Sequence, residues 1–234
     1  LLALEKKYGS VTLGIMHRRR EGGKMPGSRL FSWRDGIGAL AGSLAQGLDD
    51  NIRTGVAVRR VSAAPGGFEV DLGRDGRMHA RAVVIATQSH VAAQLIADVD
   101  PSGADAAAQI QAPSLAVVFL GYRRQDVAHP LDGLGFLTAE AENRNILGSQ
   151  FNSTMFPDRA PVGHVAVSAY IGGVRAPRLA RLPGAELIDL VGAEFGDLLG
   201  VSAAPVVAKV RHWPVGLPQY GAGHRTLVDH LSGC

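Results

Sequence analysis

The sequence predicts a mixed α/β (α+β) fold, in which part of an α/β nucleotide-binding unit is interleaved with a mainly antiparallel sheet flanked by helices. Three observations predict this class. A continuous apolar run at residues 82–87 is typical of a strand buried on both faces. Alternating segments between residues 115 and 171 indicate antiparallel strands, and residues 184–199 have the apolar spacing of an amphipathic helix.

The composition is that of a globular protein. Of the 234 residues, 46% are hydrophobic and 19% are charged, so the chain is able to bury a core. The net charge of +3 is small, and the densest basic run, residues 17–20, has no interleaved aromatics, so we expect no nucleic-acid partner. Cys234 is the only cysteine, which excludes an internal disulfide and favours a reducing, cytoplasmic location. No histidine pair has zinc-motif spacing, so no metal ligand is assigned.

The first fifty residues predict two helices and one short strand. Residues 1–9 have the pattern of a helix closed by a glycine C-cap, and residues 29–33 alternate as a strand. Leucines at positions 40, 44 and 48 then predict a second helix. Because the first helix lacks a beginning, we expect the chain to be part of a longer protein.

Residues 51–99 predict the nucleotide-binding portion. A strand at 56–61 and a strand at 68–72 are joined by a turn at residues 65–67, and Asp75-Gly76 predicts a second hairpin turn before a strand near Met78. The apolar run 82–87 predicts a buried parallel strand. Ser89 is placed to cap a helix over residues 90–96.

The remaining residues predict a sheet with helices on one side. A short helix at 104–110 precedes strands at 115–122, 133–137, 145–152 and 163–171. The amphipathic helix that follows ends at Gly200, and a last strand covers 206–213.

Established catalytic motifs are absent from the sequence. We find no G-x-S-x-G elbow, no phosphate-binding loop and no credible Ser-His-Asp order, so no catalytic side chain is assigned. Gly36 and Gly38 form only a fragment of a glycine fingerprint and follow no buried strand, which argues against a phosphate site there.

Several longer motifs carry a resemblance to one family. They cover nearly the whole chain in one order: E-K-K-Y-G-S from Glu5, F-S-W-R-D-G from Phe31, G-L-G-F-L from Gly133, I-L-G-S-Q-F-N-S-T-M-F-P-D-R-A-P from Ile146, Y-I-G-G from Tyr170, and R-H-W-P-V-G-L-P-Q-Y from Arg211 followed by Gly223-His224. The F-P-x-R-A-P and W-x-x-x-x-P-Q-Y-x-x-G-H elements are fairly specific, since turn chemistry does not explain them. In these motifs the chain closely resembles the protoporphyrinogen oxidases.

The resemblance implies an FAD-dependent oxidoreductase of the amine-oxidase-like superfamily that oxidises a porphyrinogen to the porphyrin in heme biosynthesis. It implies that the main chain of Val58 meets the adenine, that Thr87 ends a strand close to the cofactor, and that Trp213 lies near the flavin ring. A core position is the alternative for Trp213. By position, Phe136, Leu137 and Phe151 are the candidates to contact the macrocycle, with ordinary core packing as the alternative for each.

The resemblance also implies a domain order and two departures from the family. The expected segments are the end of a helical domain and a loop (1–25), substrate-domain strand and helix (26–50), partial FAD-binding domain (51–100), substrate-binding domain (101–212) and a return toward the FAD-binding domain (213–234). The family's G-x-G-x-x-G and its C-terminal glycine-rich segment are absent, so we expect weak or no flavin binding and no oxidase activity from this chain alone. Membrane contact is expected only through the missing helical region.

Two other functions remain open at this point. The first is a related flavoenzyme acting on amines or carotenoid precursors, against which the F-P-x-R-A-P element argues. The second is a binding module without redox chemistry, which would need a complete fold of its own.

Overall fold

The computed structural model describes residues 7–20, 30–48 and 51–232. The chain divides into two compact units, Leu1–Ala41 and Gly42–Cys234. The finer division into five segments stays a prediction. Residues 1–6 of the predicted opening helix lie outside the described residues, as does Cys234.

The first unit contains helix α1, Val11–Arg20. Lys7 and Tyr8 before it are helical, and Gly9 has a φ of 70°, the left-handed value that a glycine C-cap adopts. The strand predicted at 29–33 is not present in its described part, 30–33, because alternation alone supplies no partner strand for ladder hydrogen bonds. Arg29 itself lies outside the described residues. Helix α2 covers Gly38–Ala45, which confirms the helix predicted from the leucine spacing.

A three-stranded antiparallel sheet is the first sheet of the second unit. Its strands are β1 (Arg60–Ala64), β2 (Gly67–Asp71) and β3 (Arg77–Ala80), in the order β1-β2-β3. Both predicted hairpin turns are confirmed. Gly67 is required in the first of them, because a Cβ there would lie 2.3 Å from the carbonyl oxygen of Ala80.

The apolar run at 82–87 is not a strand in the structure. Residues 82–86 have no regular structure, and the side chain of Val84 is 91% exposed. The prediction was wrong for the described chain because a strand needs neighbours on its edges and cover on its faces. No strand of the described residues pairs with this run.

In the described residues, two helices lie between the two sheets in sequence, and one follows the last strand. Helix α3 is Ser89–Ile96 and helix α4 is Pro101–Ala108, and helix α7, after the last strand, is His224–Ser232. Ser89 is the first residue of α3 and not its cap, since the N-cap position is Gln88. Helix α4 begins earlier than predicted, because the Asp100 carboxylate caps it by accepting from the Gly103 N–H at 2.9 Å and Pro101 suits its first turn. Helix α7 was not predicted.

The larger sheet has five strands, all antiparallel to their neighbours, which confirms the predicted character of this region. They are β4 (Leu115–Arg123), β5 (Gly135–Leu137), β6 (Gly148–Gln150), β7 (His164–Gly172) and β8 (Val207–Trp213), in the order β5-β6-β7-β4-β8. A short helix, α5 (Asn152–Met155), connects β6 toward β7. The predicted strand at 145–152 is shortened to three residues by this helix.

Helix α6, Gly184–Leu199, covers one face of the five-stranded sheet. Leu187, Val191 and Phe195 are completely buried against β4 and β7 residues such as Val118 and Ile171. Gly200 ends the helix with a φ of 61°, as predicted. The main core of the second unit therefore lies between α6 and this sheet.

A buried carboxylate ties α6 to the loop between β5 and β6. Glu194 is 5% exposed and accepts hydrogen bonds from the main chain and side chain of Asn145 and from the Arg144 guanidinium. Asp197 also pairs with Arg144, at 3.1 Å. None of the helices in the described residues is both long and apolar enough to cross a membrane.

Candidate functional site

The five-stranded sheet presents a second face, opposite α6, which we call the open face. Side chains alternate along a strand, so a residue that precedes or follows a buried core residue points to the open face. Cross-strand register aligns one row across the whole sheet on this face: Leu137, Gly148, Tyr170, Val117 and Arg211.

Among the described residues of the second unit, the open face is covered at one end. Helix α5 lies there, because the Ser168 hydroxyl donates to Asn152 Oδ1 at 2.8 Å and Ser153 Oγ accepts from the Ala166 N–H. Leu137 and Gln150 are exposed, and Tyr170 and Val117 are half-buried. The uncovered part is therefore a largely apolar surface that runs toward the Trp213 end of the sheet.

Three segments meet at that end of the sheet, which we call the junction: residues 87–88, 114 and 213–215. The Gln88 side chain donates to the Val215 carbonyl at 3.1 Å, and the Ser114 hydroxyl donates to the Pro214 carbonyl at 3.0 Å. Hydrogen bonds therefore connect the Trp213 end of the sheet to residues 87–88, which directly follow the exposed apolar run 82–86.

Two of the three predicted cofactor residues belong to this junction. Trp213 is 43% exposed and ends β8 on the open face, and Thr87 directly precedes Gln88. The structure thus brings Thr87 and Trp213 into one region although they lie 126 positions apart in sequence (213 − 87). Their contact with a flavin stays a prediction.

The third predicted cofactor residue, Val58, lies in a segment without regular structure before β1. Within the described residues no hydrogen bond involves the main chain of residues 56–58. A cleft of about 360 Å³ is lined by Gly55, Ala57 and Arg59, on either side of Val58 in sequence. An unpaired main-chain N–H and C=O next to a cleft fit the edge of an adenine, so this segment is suited to part of an FAD site.

The three predicted substrate residues are separated by the sheet. Leu137 lies on the open face and is 90% exposed. Phe151 is 3% exposed in the core, where its ring lies 6.1 Å from that of Phe136 and 5.6 Å from that of His129. Phe136 packs against the same core. These positions favour the core-packing alternative for the two phenylalanines, and contact of any of the three residues with a macrocycle stays a prediction.

Sequence reasoning missed two open-face residues. The Tyr170 hydroxyl donates to Gln150 Oε1 at 2.5 Å, and partial burial raises the pKa of that hydroxyl. Tyr170 stood in the quoted Y-I-G-G motif, and alternation places it on the face opposite Ile171, so the available signal was the parity of each position relative to the core.

A further network fixes the strand end that carries Leu137. The Arg175 guanidinium donates to Thr138 Oγ1 at 3.2 Å and to the Thr138 carbonyl at 3.0 Å. The Thr138 hydroxyl in turn donates to the carbonyl of Ile146. Hydrogen bonds made by the side chain and the carbonyl of Thr138 therefore hold the strand end next to Leu137.

Comparison with known proteins gives one family. The model of the family described as flavin containing amine oxidoreductase matches residues 1–232. Protoporphyrinogen oxidase 1, chloroplastic, of Spinacia oleracea is 28% identical over 253 residues, which cover 97% of this chain and 44% of the spinach protein. Coproporphyrinogen III oxidase of Propionibacterium freudenreichii subsp. freudenreichii is 31% identical over 199 residues, covering 82% of this chain and 36% of that protein.

Solved structures share the fold. A protein from Exiguobacterium sp. 255-15, provisionally named protoporphyrinogen oxidase, superposes with a TM-score of 0.79 at 21% identity, covering 98% of this chain and 48% of that one. Cyclohexylamine oxidase from Brevibacterium oxydans IH-35A superposes with a TM-score of 0.60 at 17% identity, covering 76% of this chain and 38% of that one. The chain spans less than half the length of these relatives.

Proposed function

The chain belongs to the flavin-containing amine oxidoreductases, and from this premise we propose that it is the substrate-binding portion, with part of the flavin-binding portion, of an FAD-dependent enzyme that oxidises a porphyrinogen in heme biosynthesis. The family confirms the expectation of a flavin cofactor. The substrate class is suggested by the relatives named as protoporphyrinogen and coproporphyrinogen oxidases.

The open face is the observation that carries this proposal. A flat apolar ring is bound by shape and apolar contact more than by polar groups. Leu137, Tyr170 and Val117 offer such a surface, and the hydrogen bond to Gln150 fixes the Tyr170 ring. The surface ends at Trp213, in the junction where we place the flavin.

The proposed site uses no side-chain acid or base. FAD, when bound, supplies the acceptor for a hydride. The chain's own residues then bind and orient: Val58 through its main chain, Thr87 and Trp213 at the junction, and the open face against the ring. We propose further that the location is cytoplasmic, as a single cysteine favours.

Oxidation assays on the full-length enzyme that contains this chain test the proposal. Loaded with FAD, it is expected to form fluorescent porphyrin from protoporphyrinogen or coproporphyrinogen and to leave putrescine and cyclohexylamine unoxidised. Leu137→Asp is expected to lower kcat/KM for the porphyrinogen roughly ten- to hundredfold, because a charge replaces an apolar contact.

The matched control is Val162→Asp, which places the same charge at a fully exposed position in the loop before β7. We expect it to leave kcat/KM unchanged. Oxidation of amines without porphyrin formation, or equal losses in the two variants, would contradict the proposal.

A further inference from the structure

We propose that Lys209 and Arg211 form a carboxylate-binding subsite at the β8 edge of the open face, which binds the acidic side groups of the substrate ring. The inference rests on the proposed function. It adds to that function the edge of the sheet, strand β8, toward which the acidic groups of the substrate ring point.

The placement of both side chains follows from β8. Val210 packs against the core, and His212 Nε2 donates a hydrogen bond to the Leu182 carbonyl, 2.9 Å away, so these residues point toward α6. Lys209, Arg211 and Trp213 therefore point to the open face. In the cross-strand register, Arg211 lies opposite Val117 and Lys209 lies opposite Phe119.

The charge on this face is of one sign. Two cross-strand rows contain the two cations, and neither row contains a carboxylate: Leu137, Gly148, Tyr170, Val117 and Arg211 in one, and Gly135, Gln150, Ser168, Phe119 and Lys209 in the other. Both cations are exposed. Within the described residues, neither Lys209 nor Arg211 has an ion pair or a side-chain hydrogen bond. An acidic ligand would therefore supply the missing counter-charge.

Arg211 is also held in position. Its guanidinium carbon lies 5.0 Å from the centroid of the Trp213 ring. A guanidinium held over an indole by a cation–π contact keeps N–H donors available for a carboxylate, to which Arg binds in a two-point geometry. The donors thus stand beside the junction where the flavin is placed.

The distances suit an amphipathic ring. Strands in a sheet are about 4.8 Å apart, so Tyr170 lies roughly 10 Å from Arg211 across β4. A flat apolar body over Tyr170 and Val117 would therefore place its peripheral acid groups at β8. Edge strands also carry Lys and Arg to prevent pairing with other sheets, a role that requires no ligand.

Porphyrin binding separates these two roles. The chain is titrated with protoporphyrin, which has free carboxylates, and with its neutral dimethyl ester, and porphyrin fluorescence reports the Kd. In the double variant Lys209→Gln/Arg211→Gln, the Kd for the free acid is expected to rise roughly ten- to hundredfold, as charge-assisted hydrogen bonds are lost. The Kd for the ester is expected to stay the same.

Two single variants complete the design. Arg211→Lys is expected to keep part of the affinity for the acid, since the charge remains without the two-point geometry. Arg123→Gln removes the same charge from the same sheet, about 20 Å along β4 from Val117, and is expected to change neither Kd. Circular dichroism confirms that each variant is folded.

Each failure has its own signature. If the unaltered chain binds both porphyrins and the double variant binds the free acid equally well, the subsite is refuted and the proposed function stands. If the unaltered chain binds neither porphyrin, the proposed role of the open face is wrong and the subsite falls with it.

Discussion

The five-stranded sheet and the segment of residues 82–86 have similarly apolar sequences and opposite environments. In the sheet, Val118, Leu120 and Ile171 are completely buried. In the preceding segment, Val84 is 91% exposed although it lies in a run of apolar residues. The difference shows that an apolar run predicts a need for cover, and that the cover must be supplied by another element.

For the sheet, α6 is that element. Its apolar positions recur at helical spacing, and the sheet presents apolar positions at every second residue, so the two patterns meet in one core. Residues 82–86 lie on no such element within the described part of the chain. The contrast between the two regions can be tested by substitution, and the largest effect is expected in the core.

Phe195→Ala should cause the largest loss of stability. The Phe195 side chain is completely buried between α6 and the sheet, and removing such a ring costs about 3 to 5 kcal/mol in unfolding free energy because a cavity remains. Urea denaturation followed by circular dichroism measures this change. A loss of less than about 1 kcal/mol would mean that α6 does not cover the sheet as described.

The sequence predicted much of this region and could not predict its sidedness. Alternation located the strands of the larger sheet, and Gly200 correctly marked the end of α6. Alternation alone does not say which of two adjacent residues points to the core. Phe136 and Leu137 were both candidates for the site, and only the packing of α6 decides that Phe136 is inside.

The junction depended on contacts between distant parts of the chain. Gln88 and Val215 are joined by one hydrogen bond across 127 positions, and no local pattern in the sequence encodes it. Likewise, the buried position of Phe151 results from rings contributed by β5 and by the loop after β4.

A smaller, pH-dependent effect should arise from Tyr122, at the end of β4. This residue is 1% exposed, and burial raises the pKa of its hydroxyl from 10.0 to about 12. Between these pH values the unfolded chain loses a proton that the folded chain keeps. The contribution of Tyr122 to the free energy of unfolding is therefore fully present below pH 10. It decreases by roughly 2 to 3 kcal/mol as the pH rises to 12.

Tyr122→Phe is the matched control for that effect. It should remove this part of the decline in unfolding free energy above pH 10. It should also stabilise the protein by about 1 kcal/mol at neutral pH, because the buried hydroxyl has no hydrogen-bond partner among the described residues. Identical pH profiles for the two proteins would show that the phenol is accessible to water.

The smallest effect is expected at Val84, in the exposed apolar segment. Val84→Ser should change the unfolding free energy of this chain by less than about 0.5 kcal/mol, because an exposed side chain contributes little to folding. The same change at buried Val118 should cost roughly 2 kcal/mol or more, since it leaves a void and a hydroxyl without a partner. Denaturant titrations of the two variants in parallel provide the test. Equal losses would mean that residues 82–86 are covered in solution, as the buried strand predicted from their sequence would be, and the contrast between the two regions would disappear.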